Sequence, residues 1–222
     1  MQQKITPNLW FDGNAKEAVD FYRDTFSGTI LNTSYYPKEG LAGLQQNLAG
    51  KELAIDFRLG NYQFTAINAG PQFKFNPSIS FMLNFDTTHD DMAREKLDWV
   101  WEHLIAGGGS AMMPISEYPF SKRYGWLKDR YGLTWQLTLT DPADQPKPFI
   151  VPSLMFSGRN KNRTEEAVDY YYSVFKNVGQ GAVSRYPEAS GAANAGSVMY
   201  ADFMLENQWF AGMDSAVEQG FT

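Results

Sequence analysis

Residues 17–26 read EAVDFYRDTF, and residues 166–175 read EAVDYYYSVF. Upstream, ITPNLWFDG at 5–13 returns as IVPSLMFSG at 150–158. Downstream, DFRLGNYQFTAIN at 56–68 returns as DFMLENQWFAGMD at 202–214. Three blocks in the same order identify a duplicated structural unit, with small insertions between the blocks.

Each unit parses alike. Residues 5–11 form a short apolar run closed by Asp12-Gly13, a strand and its turn. Asn14 followed by Glu17 has the form of a capping box. Ala15, Ala18, Val19, Tyr22 and Phe26 then recur at helical spacing. Residues 29–36 and 52–59 read as strands, and Gly60-Asn61 turns the chain into a strand at 62–68. The order is β-α-β-β-β. It is repeated at 149–157, 164–176, 182–187, 197–205 and 208–214.

A less similar unit lies between. It has a strand at 77–85 and a helix capped by Thr87 or Thr88, with Met92, Ala93, Leu97, Val100, Trp101 and Leu104 as its apolar positions. Ala111–Ile115 is its second strand, and Ser116–Tyr124 reads as a long aromatic loop, a candidate lid. Tyr124–Leu127 and Leu133–Leu139 flank a turn at Lys128–Gly132. The fold class is therefore α+β, built from three βαβββ units. Residues 1–140 are expected to form a complete domain of two paired units. Residues 141–148, rich in proline and acidic residues, form a linker. Residues 149–222 are half of a second domain.

Composition removes several function classes. Of 222 residues, 43% are hydrophobic and 20% charged, a globular balance. There is no cysteine, which excludes disulfides, thiol nucleophiles and thiolate metal sites. The net charge is −6 with no basic run, which argues against nucleic acid or an anionic membrane. No stretch approaches the ~20 apolar residues of a spanning helix. The first residues lack a signal-peptide core, so the expected location is the cytoplasm.

Ile5-Thr6-Pro7, Leu9–Gly13, Glu17-Ala18, Phe21-Tyr22, Asn68, Gly70-Pro71, Phe73, Phe75-Asn76 and Ser80-Phe81 form a pattern with Gly125–Asp129, Gly132 and Trp135-Gln136. In these residues the chain resembles the PhnB-like family, labelled 3-demethylubiquinone-9 3-methyltransferase, of the vicinal oxygen chelate superfamily. That superfamily includes glyoxalase I, bleomycin-resistance proteins and extradiol dioxygenases. The resemblance implies that two units pair so that their sheets curve around a cavity. It also implies metal ligands at four strand positions, which fall here on Pro7, on Phe64 or Ala66, on Ser78 and on Gln136. None is a carboxylate or imidazole, so no metal and no other cofactor is expected. The methyltransferase label finds no support in Gly107-Gly108-Gly109, which follows a helix and reads as its stop.

Strand alternation then divides the cavity face from the helix face. It assigns Leu9, Phe11, Phe64, Asn68, Ser80, Met82, Trp126 and Gln136 to the pocket, with Gln72 beside it where many relatives carry histidine. Such a floor suits a small neutral or partly apolar molecule. The two histidines, His89 and His103, sit near helix ends and read as surface residues. No catalytic residue is identified. The expected function is metal-independent small-molecule binding. The alternatives are an enzyme of isomerase, lyase or dioxygenase type, with or without a metal, and a structural oligomerisation module. The odd third unit would expose the face that pairing covers, so a homodimer through residues 149–222 is expected. The rival account is a chain that continues into a fourth unit, since Gln219–Thr222 stands where Gln72–Lys74 stands before the second.

Overall fold

The computed structural model describes residues 3–141, 143 and 145–220. Met1, Gln2, Pro142, Asp144, Phe221 and Thr222 lie outside the described residues, and with them part of the linker and of the terminal motif. The first unit is β1 (Asn8–Phe11), α1 (Ala15–Phe26), β2 (Thr29–Tyr35), β3 (Glu52–Leu59) and β4 (Tyr62–Asn68). The second is β5 (Ile79–Asp86), α2 (Ala93–Ala106), β6 (Ser110–Tyr118), β7 (Ser121–Lys128) and β8 (Thr134–Thr140). The third is β9 (Ile150–Phe156), α3 (Thr164–Val174), β10 (Gly179–Arg185), β11 (Val198–Leu205) and β12 (Gln208–Asp214). In every unit the first strand runs parallel to the fourth, and the third and second follow outward. The α+β class and the threefold βαβββ order are those read from the repeat.

The helices are amphipathic as their spacing dictates. Ala15, Ala18, Val19 and Tyr22 of α1 are buried, and Leu97, Val100, Trp101 and Leu104 of α2 likewise. Their starts are not capped as the local sequence suggested. Asn14 makes no side-chain cap. Asn68, at the end of β4, accepts the Ala15 N–H through Oδ1 at 2.9 Å. Helix α2 begins at Ala93, not at Thr87 or Thr88. The Asp86 and Asp90 carboxylates accept the N–H groups of Thr88 and Met92, two residues on, and hold 86–92 in local turns. The Ser116–Tyr124 stretch is a hairpin, not a lid loop. β6 and β7 pair out to Tyr118 and Ser121, and Tyr118, Phe120 and Tyr124 pack ring on ring there.

Two of the three units pair edge to edge, and they are the second and third. β5 and β9 run antiparallel, with Ser80 opposite Ser153 and Met82 opposite Val151. The order β10-β11-β12-β9-β5-β8-β7-β6 is one eight-stranded sheet. The linker therefore joins two strands of one sheet. Asn84 bonds both ends of its last step, donating from N to Phe149 O and from Nδ2 to Pro148 O, each at 2.8 Å. The third unit's supposed open edge is thus occupied within the chain, which removes the reason for two chains to pair there.

The first unit keeps its own four-stranded sheet, β1-β4-β3-β2, and packs on the second through the helix sides of both. Phe64 meets Phe81 at 5.0 Å and Tyr22 meets Trp135 at 5.5 Å between ring centroids. At this junction lies Asp129, 3% exposed. Its carboxylate accepts from Tyr22 Oη and Trp135 Nε1, both at 2.8 Å, and from the N–H groups of Tyr131 and Leu133. Burial pushes the carboxyl above its ordinary pKa, and the four donors oppose that shift. Replacing Asp129 by Ala leaves two side-chain donors buried without an acceptor. The expected loss is about 2–4 kcal/mol of unfolding free energy, measured by urea denaturation. A loss within error would show that the junction does not depend on this carboxylate.

Candidate functional site

Strand alternation gives the eight-stranded sheet two unlike faces. Phe81, Leu83, Phe85, Leu127, Trp135 and Leu137 pack against α2 and the first unit, and Leu154, Phe203, Leu205 and Phe210 pack with residues of α3. Among the described residues no helix lies over the opposite face. It carries Ser80 and Met82 of β5, Gln136 of β8, Tyr124 and Trp126 of β7, Val151, Ser153 and Met155 of β9, and Ala211 and Met213 of β12. Most of these are buried all the same. Met82, Val151 and Ala211 form one cluster with Tyr200 and Trp209, and Tyr124, Trp126 and Met155 form another with Met113 and Met213. β7 and β9 are three strand steps apart, roughly 14 Å in a flat sheet. Contact between their side chains requires the sheet to curl toward this face.

A short polar line runs through the middle of the curl. Gln136, 2% exposed, donates from Nε2 to Ser80 Oγ at 2.7 Å and reaches Ser153 Oγ at 3.5 Å. Its Oε1 accepts from Tyr124 Oη at 2.8 Å. Burial raises the Tyr124 phenol well above its ordinary pKa, so it stays a neutral donor. Trp126 Nε1 is buried with no hydrogen-bond partner among the described residues, an available donor beside this line. Toward the linker, Lys147 closes the face: its Nζ lies 3.1 Å from Asp202 and 4.1 Å from the Trp209 ring centroid. Behind the sheet, Gly125 is required by close packing, since a Cβ there would stand 2.5 Å from the Trp101 ring. A groove of about 190 Å³ lies elsewhere, between α3 and β10–β11. Glu165 and Arg185 line it and pair with each other.

Of the residues singled out from sequence, Ser80, Met82, Trp126 and Gln136 come together on this face. Leu9, Phe11 and Phe64 do not. They lie on the helix side of the small sheet, at 3%, 3% and 0% exposure, in the core beneath α1. Alternation separates two faces of a strand but does not say which one meets the helix, and on β1 the helix took the Leu9–Phe11 face. Asn68 is the α1 cap described above, and it also donates from Nδ2 to Glu52 O. The third unit reproduces this device. Asp214 accepts from the Thr164 N–H and hydroxyl, and Tyr186 donates to Asp214 O as Tyr36 does to Asn68 O. Gln72 is exposed in the connection from β4 to β5. Tyr124, Val151, Ser153 and Met155 were missed. The motif IVPSLMF held the signal, because Val151, Ser153 and Met155 alternate on one face of a strand.

The superfamily's metal finds no fitting donors. The polar groups on the curled face are serines, threonines, a glutamine, a tyrosine and the Trp126 indole, with one carboxylate, Asp202, already held by Lys147. Among the described residues no three of His, Cys, Asp and Glu gather as a metal site requires. His89 is exposed and bonded to Asp86, and His103 stacks on Trp99 and Phe21. The glycine triplet ends α2, with Gly107 as its C-cap and Gly108 at φ 102°. No helix among the described residues is long and apolar enough to cross a membrane.

This repeat and its curled sheet define a class before any name is attached. The chain belongs to the family described as 3-demethylubiquinone-9 3-methyltransferase, which it matches over residues 3–138 and 148–222. The PhnB protein from Bacillus cereus is 36% identical, aligns over 62% of this chain and 100% of its own, and gives a TM-score of 0.53. Protein PA1353 from Pseudomonas aeruginosa is 22% identical over 62% of this chain and 98% of its own, with a TM-score of 0.51. The V278E glyoxalase I mutant from Zea mays covers 98% of this chain with 70% of its own, at 13% identity and a TM-score of 0.56. The last two are likenesses of fold alone. No curated protein matches the chain.

The assignment of Asn68 to capping has a direct check. Asn68→Ala is expected to cost about 1–2 kcal/mol of stability, read by urea unfolding. Far-UV circular dichroism of the folded variant should be unchanged. An effect near zero would show that the cap is idle.

Proposed function

We propose that this protein binds a small, neutral, partly apolar molecule on the curled face shared by the second and third units, without a metal ion. The observation that carries the reading is the Ser80–Gln136–Ser153 line set among Met82, Met155, Met213, Tyr124 and Trp126 on a face no helix covers. A few convergent polar groups on an apolar wall are what a small-molecule site needs. The unpartnered Trp126 Nε1 offers a hydrogen bond to an acceptor atom, and Gln136 can exchange a serine hydroxyl for a ligand group. The thioether side chains lining the face are unbranched and adapt to a guest by rotation. The donor set supports binding without a divalent ion. Its one carboxylate, Asp202, is held by Lys147 and is not a free base, so the family's description does not enter the proposal.

The test is a thermal-shift screen of the full chain against neutral aromatic and heteroaromatic compounds, with hits confirmed by calorimetry. Gln136→Leu and Trp126→Phe should each weaken a confirmed hit roughly tenfold, the loss of one buried hydrogen bond. Asn68→Ala should leave the affinity unchanged. Binding insensitive to Gln136 and Trp126 would place the site elsewhere. Stoichiometric zinc, nickel, manganese or iron in the purified protein would contradict metal independence.

A further inference from the structure

The first unit is an internal reference for the third, because the two share one fold and a related sequence. Ile30 of β2 lies opposite Phe57, and Ile55 of β3 lies opposite Ala66. Their counterparts by register are Gln180, opposite Phe203, and Ala201, opposite Gly212. In the first unit Ile55 is 1% exposed and Ile30 packs on the core, so the space between α1 and β2–β3 is filled. In the third unit a short alanine and an exposed glutamine leave that space open. The groove of about 190 Å³ between α3 and β10–β11 is the result.

The groove does not lie where a neighbouring unit packs. On α1 the residues that meet the second unit are Phe21, Tyr22 and Phe26, whose rings contact His103 and Trp135. Their counterparts on α3 are Tyr170, Tyr171 and Phe175. The groove is lined instead by Glu165, Asp169 and Tyr172, which correspond to Lys16, Asp20 and Arg23 of α1. Those three side chains stay 55%, 31% and 39% exposed, and Asp20 is paired with both cations. The third unit reverses that charge. Glu165 and Tyr172 stand where the cations were, and Asp169 is exposed with no ion-pair partner among the described residues. The other carboxylates along the groove are compensated, Glu165 by Arg185 and Asp202 by Lys147.

We infer that this groove is a binding site for a small organic monocation, an ammonium or guanidinium group on a short apolar body. Asp169 supplies the counter-charge, and Val168, Val183 and Phe203 supply the apolar wall. The Gln180 amide offers a further acceptor at the rim. The Tyr172 phenol registers the local field: burial raises its pKa, and the Asp169 and Asp202 carboxylates raise it further. The same field favours a cation and opposes an anion. The groove lies on the helix side of the sheet, so this site stands apart from the curled face and does not depend on it.

The probe is benzylammonium, with benzyl alcohol as its neutral counterpart and benzoate as an anion of similar shape. Calorimetry on the full chain should give a dissociation constant on the order of 1 mM or tighter for benzylammonium, and values at least about tenfold weaker for the other two. Asp169→Asn removes the charge and keeps the shape, and it should weaken the ammonium at least about tenfold. Ala201→Ile gives the third unit the residue that the first unit has. It should abolish binding by filling the groove, with circular dichroism unchanged. Asp169 is a surface residue, so its variant carries the test if the isoleucine disturbs the fold. No benzylammonium binding at about 10 mM overturns the inference. So does equal affinity for the alcohol, or an affinity indifferent to Asp169→Asn. An affinity lost in Trp126→Phe and kept in Asp169→Asn would put the cation on the curled face and overturn it as well.

Discussion

The antiparallel seam between β5 and β9 is the constraint from which the site follows. It closes the free edge of the second unit and of the third in one step. It lengthens a twisted sheet from four strands to eight, and strand twist then accumulates until Trp126 and Tyr124 on one side meet Met155 and Met213 on the other. Val151 and Ala211 would lie bare on an isolated third unit. Here they are 2% and 0% exposed. Full burial of a valine contributes on the order of 1.5–3 kcal/mol and of an alanine methyl about 0.8 kcal/mol, so the apolar walls of the site also stabilise the seam. The polar line at its centre depends on the same register, because a slip of one residue would turn Ser80 or Ser153 to the helix side.

The first unit plays a different part. It touches the second through helix faces, aromatic rings and the Asp129 carboxylate, and it contributes nothing to the curled face. Its role is to cover the helix side of β5 and β8, where Phe81 and Trp135 would otherwise stand in water. Asp129 makes that junction specific, since Tyr22 and Trp135 can both bond it only when α1 lies in one place over the β7–β8 turn. The capping pairs Asn68–Ala15 and Asp214–Thr164 do within the first and third units what Asp129 does between the first and second. They tie a helix start to the end of a strand distant in sequence.

Much of the fold was legible because the repeat is local. EAVDF, the Gly60-Asn61 turn and the apolar spacing of α1 each act over a few residues, and three copies leave little freedom in the order of elements. What was not legible is relational. Nothing in IVPSLMF says which other edge β9 will meet, and nothing in ITPNLWF says which of its two faces α1 will cover. Ser80, Met82, Trp126 and Gln136 were found because the helix side of β5 and β8 is marked by large residues, Phe81 and Trp135. Leu9 and Phe11 were misplaced because Trp10, the large residue of β1, lies on the helix-free side, where it bonds Gly70 O and packs on Phe73. Ser153 went unseen because its unit was expected to stand alone.

The absence of cysteine, which first served to exclude chemistries, makes the seam directly measurable. In a Ser80→Cys/Ser153→Cys double variant the two thiols should sit at a directly opposed pair, within disulfide reach. Non-reducing mass spectrometry of the oxidised monomer should find one disulfide linking peptides that contain residues 80 and 153. Two free thiols in the folded monomer, or disulfides found only between chains, would contradict the shared sheet and with it the site.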